Sequence, residues 1–216
     1  VIYMMLAALA FTAMIGFVKV ARSELSPLDI MAWRGLLGAP VIAVLALRAG
    51  RGFGLHNRGA FVLRTVFGFG AMFCFYTATR GLPLADLTLI HKLQPILLTL
   101  LAPFVLGATE RSDRSVWIVL VAGVVGCAIL LAPKIEVGLG PGLWALGATG
   151  LSALAHLCVR KLGATDEPAV VVLWFQLAMA AIAVVVLAAV MGRMPSAPRH
   201  LWGVLVGCAL SASAGQ

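Results

Sequence analysis

The sequence predicts an all-α membrane protein, a polytopic helix bundle, and three observations predict it. Of 216 residues, 62% are hydrophobic and only 11% charged, whereas soluble domains carry roughly a quarter charged residues. The apolar residues form continuous blocks of about 20, the length of a bilayer-crossing helix, and not the alternating segments of barrel strands. The connections between blocks are short and punctuated by Gly and Pro. With a mean hydropathy of +1.06, these features exclude a water-soluble globule and a membrane β-barrel.

In chain order, Ile2–Val20 is read as a first span and not a signal peptide, because no basic segment precedes it and it outruns a signal core. Ser26-Pro27 introduces Leu28–Leu47. Ala60–Thr79 follows, and Gly81-Leu82-Pro83 separates it from Leu84–Leu106. Val116–Pro133 is the fifth block. The stretch from Gly138 to Pro141 introduces Gly142–Val159, Glu167-Pro168 introduces Ala169–Met191, and Pro195 to Pro198 precede the last block, from Leu201 onward. Seven blocks are long enough to span, and the eighth is shorter, about 16 residues. Connections this short make successive helices antiparallel neighbours.

The formal charge of +8 does not point to nucleic acid, because the basic residues are scattered singly and in pairs with no interleaved aromatic patch. With an inside N-terminus, the cytoplasmic connections hold Arg48, Arg51, Arg58, Arg111, Arg114, Arg160 and Lys161. The outside ones hold Lys19, Arg22, Arg80, Lys134, Arg193 and Arg199. Seven against six leans toward a cytoplasmic N-terminus. Cys74, Cys127, Cys158 and Cys208 lie in separate blocks without metal-binding spacing, so they are read as small packing residues.

A displacement of 141 residues superimposes Lys19 on Arg160, Pro27 on Pro168, Trp33 on Trp174 and Arg58 on Arg199, and the block boundaries coincide. A repeat of that length holds five spans, and an odd number inserts the second copy upside down. The expected architecture is therefore two inverted five-helix repeats, residues 1–141 and 142–216, the second incomplete, with seven or eight of ten helices present. Inverted repeats place a substrate site near the bilayer midplane. By the same arithmetic the second copy would run to about residue 282.

Several segments resemble EamA-type members of the drug/metabolite transporter superfamily. They are the turn Leu25-Ser26-Pro27-Leu28-Asp29-Ile30, the Trp33-Arg34-Gly35 after it, and Phe75-Tyr76-Thr77-Ala78-Thr79-Arg80-Gly81-Leu82-Pro83-Leu84-Ala85-Asp86 leading to Gln94-Pro95. Gly142 to Leu162 is similar to the opening of that family's second repeat. The resemblance implies ten helices, both termini cytoplasmic, and a central cavity between the repeats through which small organic solutes move. Where the family ends its fourth helix with Gly-Glu, this chain reads Gly107-Ala108-Thr109-Glu110.

A charge at the bilayer centre costs on the order of 3 kcal/mol, so each one needs a partner, a wet cavity or a task. Beyond their first turns, the blocks hold three cations, Arg34, Arg64 and Lys92, and no carboxylate. This imbalance suits an anionic or zwitterionic substrate group. Lys92 is the sharpest candidate, with His91 and Gln94 beside it. Pro95 kinks the helix and frees the His91 carbonyl. The alternative is that Lys92 snorkels to the interface and the proline only bends the helix. Arg34 either pairs with Asp29, reaches the headgroups or touches substrate, and Arg64 reads as a snorkelling anchor. His156, Gln176 and Tyr76 complete the candidate substrate set, each with a packing or interhelical alternative. With no deep carboxylate, His91 and His156 are the candidates for proton coupling. The pairs Gly123/Gly126 and Gly147/Gly150 suggest close helix approach.

The expected function is secondary transport of a small organic solute, such as an amino-acid-like, nucleotide-derived or drug-like compound, across the inner cell membrane by alternating access. An inactive fragment or partial membrane subunit is the alternative. An intramembrane enzyme is disfavoured, since no Gly-x-Ser-x-Gly, paired-carboxylate or metal motif is present. No cofactor or metal is expected. The expected partners are substrate, the lipid bilayer and, as an open arrangement, a second copy in a homodimer, with no nucleic acid.

Overall fold

A computed structural model describes residues 2–48, 53–106, 113–131 and 139–215. The described residues are helical without strands: α1 (Ile2–Ala21), α2 (Pro27–Arg48), α3 (Arg58–Gly81), α4 (Leu84–His91), α5 (Gln94–Leu106), α6 (Arg114–Leu131), α7 (Leu139–Leu162), α8 (Pro168–Met191) and α9 (Trp202–Ala214). Helices thus occupy all eight apolar blocks, the fourth being divided between α4 and α5.

Five stretches are long and apolar enough to cross a membrane: Pro27–Arg48, Arg58–Gly81, Leu84–Val105, Gly140–Leu162 and Pro168–Met191. Seven full-length spans were expected. The described parts of α1 and α6 give only the shorter apolar stretches Met5–Ala21 and Arg114–Gly126. Large apolar side chains stand on the outside, Phe104 at 83% and Val190 at 77% exposure. Apolar exposure of this extent suits contact with lipid.

Local sequence sets the helix ends. Ser26 and Asp29 form a reciprocal capping box at α2: the Asp29 amide donates to Ser26 Oγ (3.2 Å) and the Ser26 amide to Asp29 Oδ2 (3.2 Å). Pro27 takes the first helical position, where no amide is needed. Asn57 caps α3 by accepting from the Ala60 amide at 3.1 Å. Gly192 ends α8 in the left-handed conformation (φ 62°), which glycine adopts without a Cβ clash.

The chain forms two compact units. The first comprises residues 1–56 and 166–216, the second 57–165. In the first, α2 packs on α8 and α9, and α1 on α9. A methyl group on Gly35 would lie 2.6 Å from the Gln176 carbonyl oxygen and 2.8 Å from Ala180 Cβ, so glycine permits the α2–α8 approach. In the second, α3 packs along α7, which also carries α4 and α5. Gly81 lies against Pro141, Cys74 against Gly147 and Gly70 against Leu151, so α3 and α7 run antiparallel. Among the described residues the glycines proposed for close approach behave differently: Gly123, Gly126 and Gly150 have nothing within 4 Å of a Cβ position, and Gly147 only the Cys74 sulfur at 3.8 Å. A small-residue pair marks a contact only when its face meets a neighbour, and the closest contacts here fall at single glycines.

Candidate functional site

Most of the residues singled out from sequence meet in the second unit. The antiparallel register of α3 on α7 brings Arg64 level with His156. From the other side, Thr149 Oγ1 of α7 donates to the Ile90 carbonyl of α4 (3.4 Å), and Gln94 of α5 contacts His156 Nδ1 through its Nε2 (2.9 Å). Arg64 lies within electrostatic reach of His156, and both His156 and Lys92 within reach of His91. His91, Lys92, Arg64 and His156 therefore form one basic cluster drawn from three segments.

The cluster surrounds a true interruption of the fourth span. Just ahead of Pro95, where a kink was expected, α4 ends at His91, and Lys92 and Leu93 form a turn before α5 begins at Gln94. The Lys92 amide bonds to the Thr88 and Leu89 carbonyls, both at 3.0 Å, and the Leu93 amide to Ile90 at 3.1 Å. This tightening closes α4. Pro95 falls in the first turn of α5, where its missing N–H costs nothing. Broken helices at membrane depth are tolerated where they are enclosed by protein or line a cavity.

His156 Nδ1 also lies 2.8 Å from the Ser152 carbonyl. One ring nitrogen thus faces an amide donor and a carbonyl acceptor, and a single protonation state satisfies only one of them. Nδ1–H serves Ser152, whereas a bare Nδ1 accepts from Gln94. His91 packs edge-on against Phe75, with ring centroids 5.4 Å apart, and its buried Nδ1 has no hydrogen-bond partner among the described residues. Lys92 is exposed. Tyr76 is 1% exposed and packs beside Phe75 at 6.4 Å.

Arg34 and Gln176 belong to the first unit and are buried at 1% and 0% exposure. Gln176 Nε2 and Ser213 Oγ both stand 3.1 Å from where a Gly38 Cβ would lie, and Arg34 acts electrostatically on Cys208 of α9. Asp29, considered as an Arg34 partner, holds Arg193 at 2.9 and 2.7 Å and accepts from the Ser196 amide at 3.0 Å. The Asp29 carboxylate keeps the Arg193 guanidinium above its ordinary range.

Sequence reasoning passed over Asp86. It lies in the first turn of α4 at 4% exposure, and its Oδ2 has no partner among the described residues. Its position two residues inside the span was the available signal. Ser152 was also passed over, although it sits four residues before His156, one helical turn away. Glu110 lies outside the described residues.

The profile of the EamA-like transporter family matches residues 1–132. The chain is 26% identical over 224 residues to the pseudopaline exporter CntI of Pseudomonas aeruginosa, covering 100% of this chain and 75% of that protein. It is 26% identical over 186 residues to an uncharacterized transporter of Helicobacter pylori, covering 84% of this chain and 61% of that one. A solved crystal structure shares the fold, with a TM-score of 0.76 at 21% identity over 99% of this chain and 75% of the other.

Proposed function

Because the chain belongs to the EamA-like transporter family and is a multi-pass membrane transporter of the drug/metabolite kind, we propose that it is a secondary carrier of a small organic solute working by alternating access. In this reading residues 1–141 are one repeat and residues 142–216 the opening of its inverted counterpart. The N-terminus is cytoplasmic and the membrane is the inner cell membrane. His91, Lys92, Gln94, Tyr76 and His156 are the proposed substrate contacts in the second unit, and Arg34 and Gln176 are proposed contacts in the first. Catalysis has no part in this reading.

One observation carries it: the interrupted fourth span with its basic cluster. Secondary carriers build substrate sites from discontinuous helices near the midplane, and no packing requirement explains two cations and two imidazoles gathered there.

Proton coupling falls to His156 and His91. Protonation of His156 commits Nδ1 to Ser152 and releases Gln94, which gives the proton a mechanical consequence beside the helix break.

The test is flux into proteoliposomes under an imposed pH gradient, using a panel of amino acids, nucleosides and cationic drugs. The wild type is expected to accumulate at least one panel member when the gradient is present. His156→Ala is expected to reduce gradient-driven accumulation about tenfold or more and to lower exchange at equal pH by much less. Absence of flux for every compound in both directions would sink the carrier reading.

A further inference from the structure

We propose that the α4–α5 break is an oxyanion subsite, so that the transported solute carries a carboxylate or phosphate group that Lys92 and His91 receive. This rests on the carrier reading above and specifies its substrate class. The first argument is charge balance. Arg64, Lys92, His91 and His156 converge, while the acidic residues described in the same unit are Asp86 and Asp113. Asp113 precedes α6. Asp86 is six residues before Lys92, about 9 Å along a helix. Among the described residues Lys92 is thus uncompensated in the middle third of the Leu84–Val105 span, where an unbalanced cation is costly.

The second argument is donor geometry. The Lys92 side-chain ammonium has no hydrogen-bond or ion-pair partner among the described residues, and the buried His91 Nδ1 has none either. Both flank the start of α5, whose Gln94 and Ile96 amides are first-turn donors outside its internal ladder. The opposing carbonyl end of α4 borders the same break, so the helix dipoles largely cancel there and the side-chain cations decide the sign. A bound oxyanion would take up the unused donors and remove the repulsion within the cluster. A cation would do neither, and a neutral solute could accept from the donors without removing the repulsion.

Thermal unfolding of the detergent-purified protein tests this with matched probes: glutamate against glutamine, phenylalanine against phenylalaninamide, and glycerol 3-phosphate against glycerol. Because glutamine keeps an α-carboxylate, the deciding pairs are those whose second member has no oxyanion, phenylalanine against phenylalaninamide and glycerol 3-phosphate against glycerol, and at least one oxyanion-bearing member is expected to raise Tm where its partner does not. Lys92→Met should weaken that stabilisation about tenfold, as for loss of one charge-assisted contact, and Lys92→Arg should retain most of it. The unliganded Tm of each variant shows whether it is folded.

Equal stabilisation by the neutral partners, no stabilisation by any anion, or full retention in a folded Lys92→Met would each overturn the proposal. So would stabilisation only by phosphatidylglycerol over phosphatidylcholine in nanodiscs, which would make the ligand a lipid headgroup. Flux of amides and acids alike would leave the carrier reading intact and remove this one. Anion binding without flux would do the reverse.

Discussion

At the scale of single residues, burial and contact decide which side chains matter. Gly35 is hydrogen-sized space between α2 and α8, and its neighbours there are backbone and Ala180, which cannot swing aside. Gly35→Ala is expected to cost about 1–3 kcal/mol by overpacking, read as a lower unfolding midpoint in detergent, whereas Gly123→Ala, with open space around it, should be neutral within about 0.5 kcal/mol. Arg193→Ala leaves Asp29 buried at 1% exposure with only Ser26 and the Ser196 amide to hold it. A loss of about 2 kcal/mol is expected, below the full value for a buried pair because Arg193 itself is partly exposed. Limited proteolysis should then cut near 192–198. Sequence alone made Lys92, His91 and Gln94 legible, because polar residues in an apolar run stand out. Asp86 did not stand out, since a carboxylate in a first turn reads as an ordinary helix start until its burial is known.

At the scale of elements, the fourth span shows what periodicity cannot resolve. Leu84 to Leu106 reads as one apolar helix with a proline bend, yet the chain breaks before the proline, at Lys92 and Leu93. A proline at position 95 is compatible with an interior kink or with the first turn of a new helix, and local sequence does not distinguish them. Pro95→Ala restores an N–H and allows α4 and α5 to merge. Amide hydrogen exchange across residues 92–97 is expected to slow in that variant, and unchanged protection there would mean that neighbouring contacts, and not the proline, impose the break. The opposite failure occurs in α6, where Gly123 and Gly126 form a small-residue pair with no partner in contact among the described residues.

At the scale of the whole molecule, the inverted repeat proposed from the 141-residue displacement makes demands on the packing within each unit. If the first span corresponds to the sixth, the second to the seventh and the third to the eighth, contact of α1 with α9 must be mirrored by contact of α7 with α3, and α2 must meet α8. All three packings occur. The matched tryptophans repeat the relation in detail. Trp33 of α2 donates to the Ser196 carbonyl after α8 (3.0 Å), and Trp174 of α8 donates to the Phe53 carbonyl after α2 (2.9 Å). At the start of each helix an aspartate accepts an amide from the other's following connection: Asp29 from Ser196, and Asp166 from His56 at 2.5 Å. This reciprocity requires α2 and α8 to run antiparallel, with one clamp at each end. In a background with the four native cysteines replaced by alanine, Ser23→Cys and Ser196→Cys should react with a membrane-impermeant thiol reagent from one side. His56→Cys and Glu167→Cys should react from the other. Labelling of all four from one side would contradict the inverted arrangement.

The sequence by itself determined the membrane class, the blocks, the helix boundaries and the family, because these depend on hydropathy, capping residues and chain length, all local or additive quantities. It also suggested the repeat, through a few rare residues at fixed displacement. Tertiary structure alone decided where the fourth span breaks, which glycines are contacts, that Asp29 holds Arg193, and that Arg64, His91, Lys92 and His156 form one cluster. Those depend on the faces that helices distant in sequence turn toward one another, and no residue's own neighbours encode that.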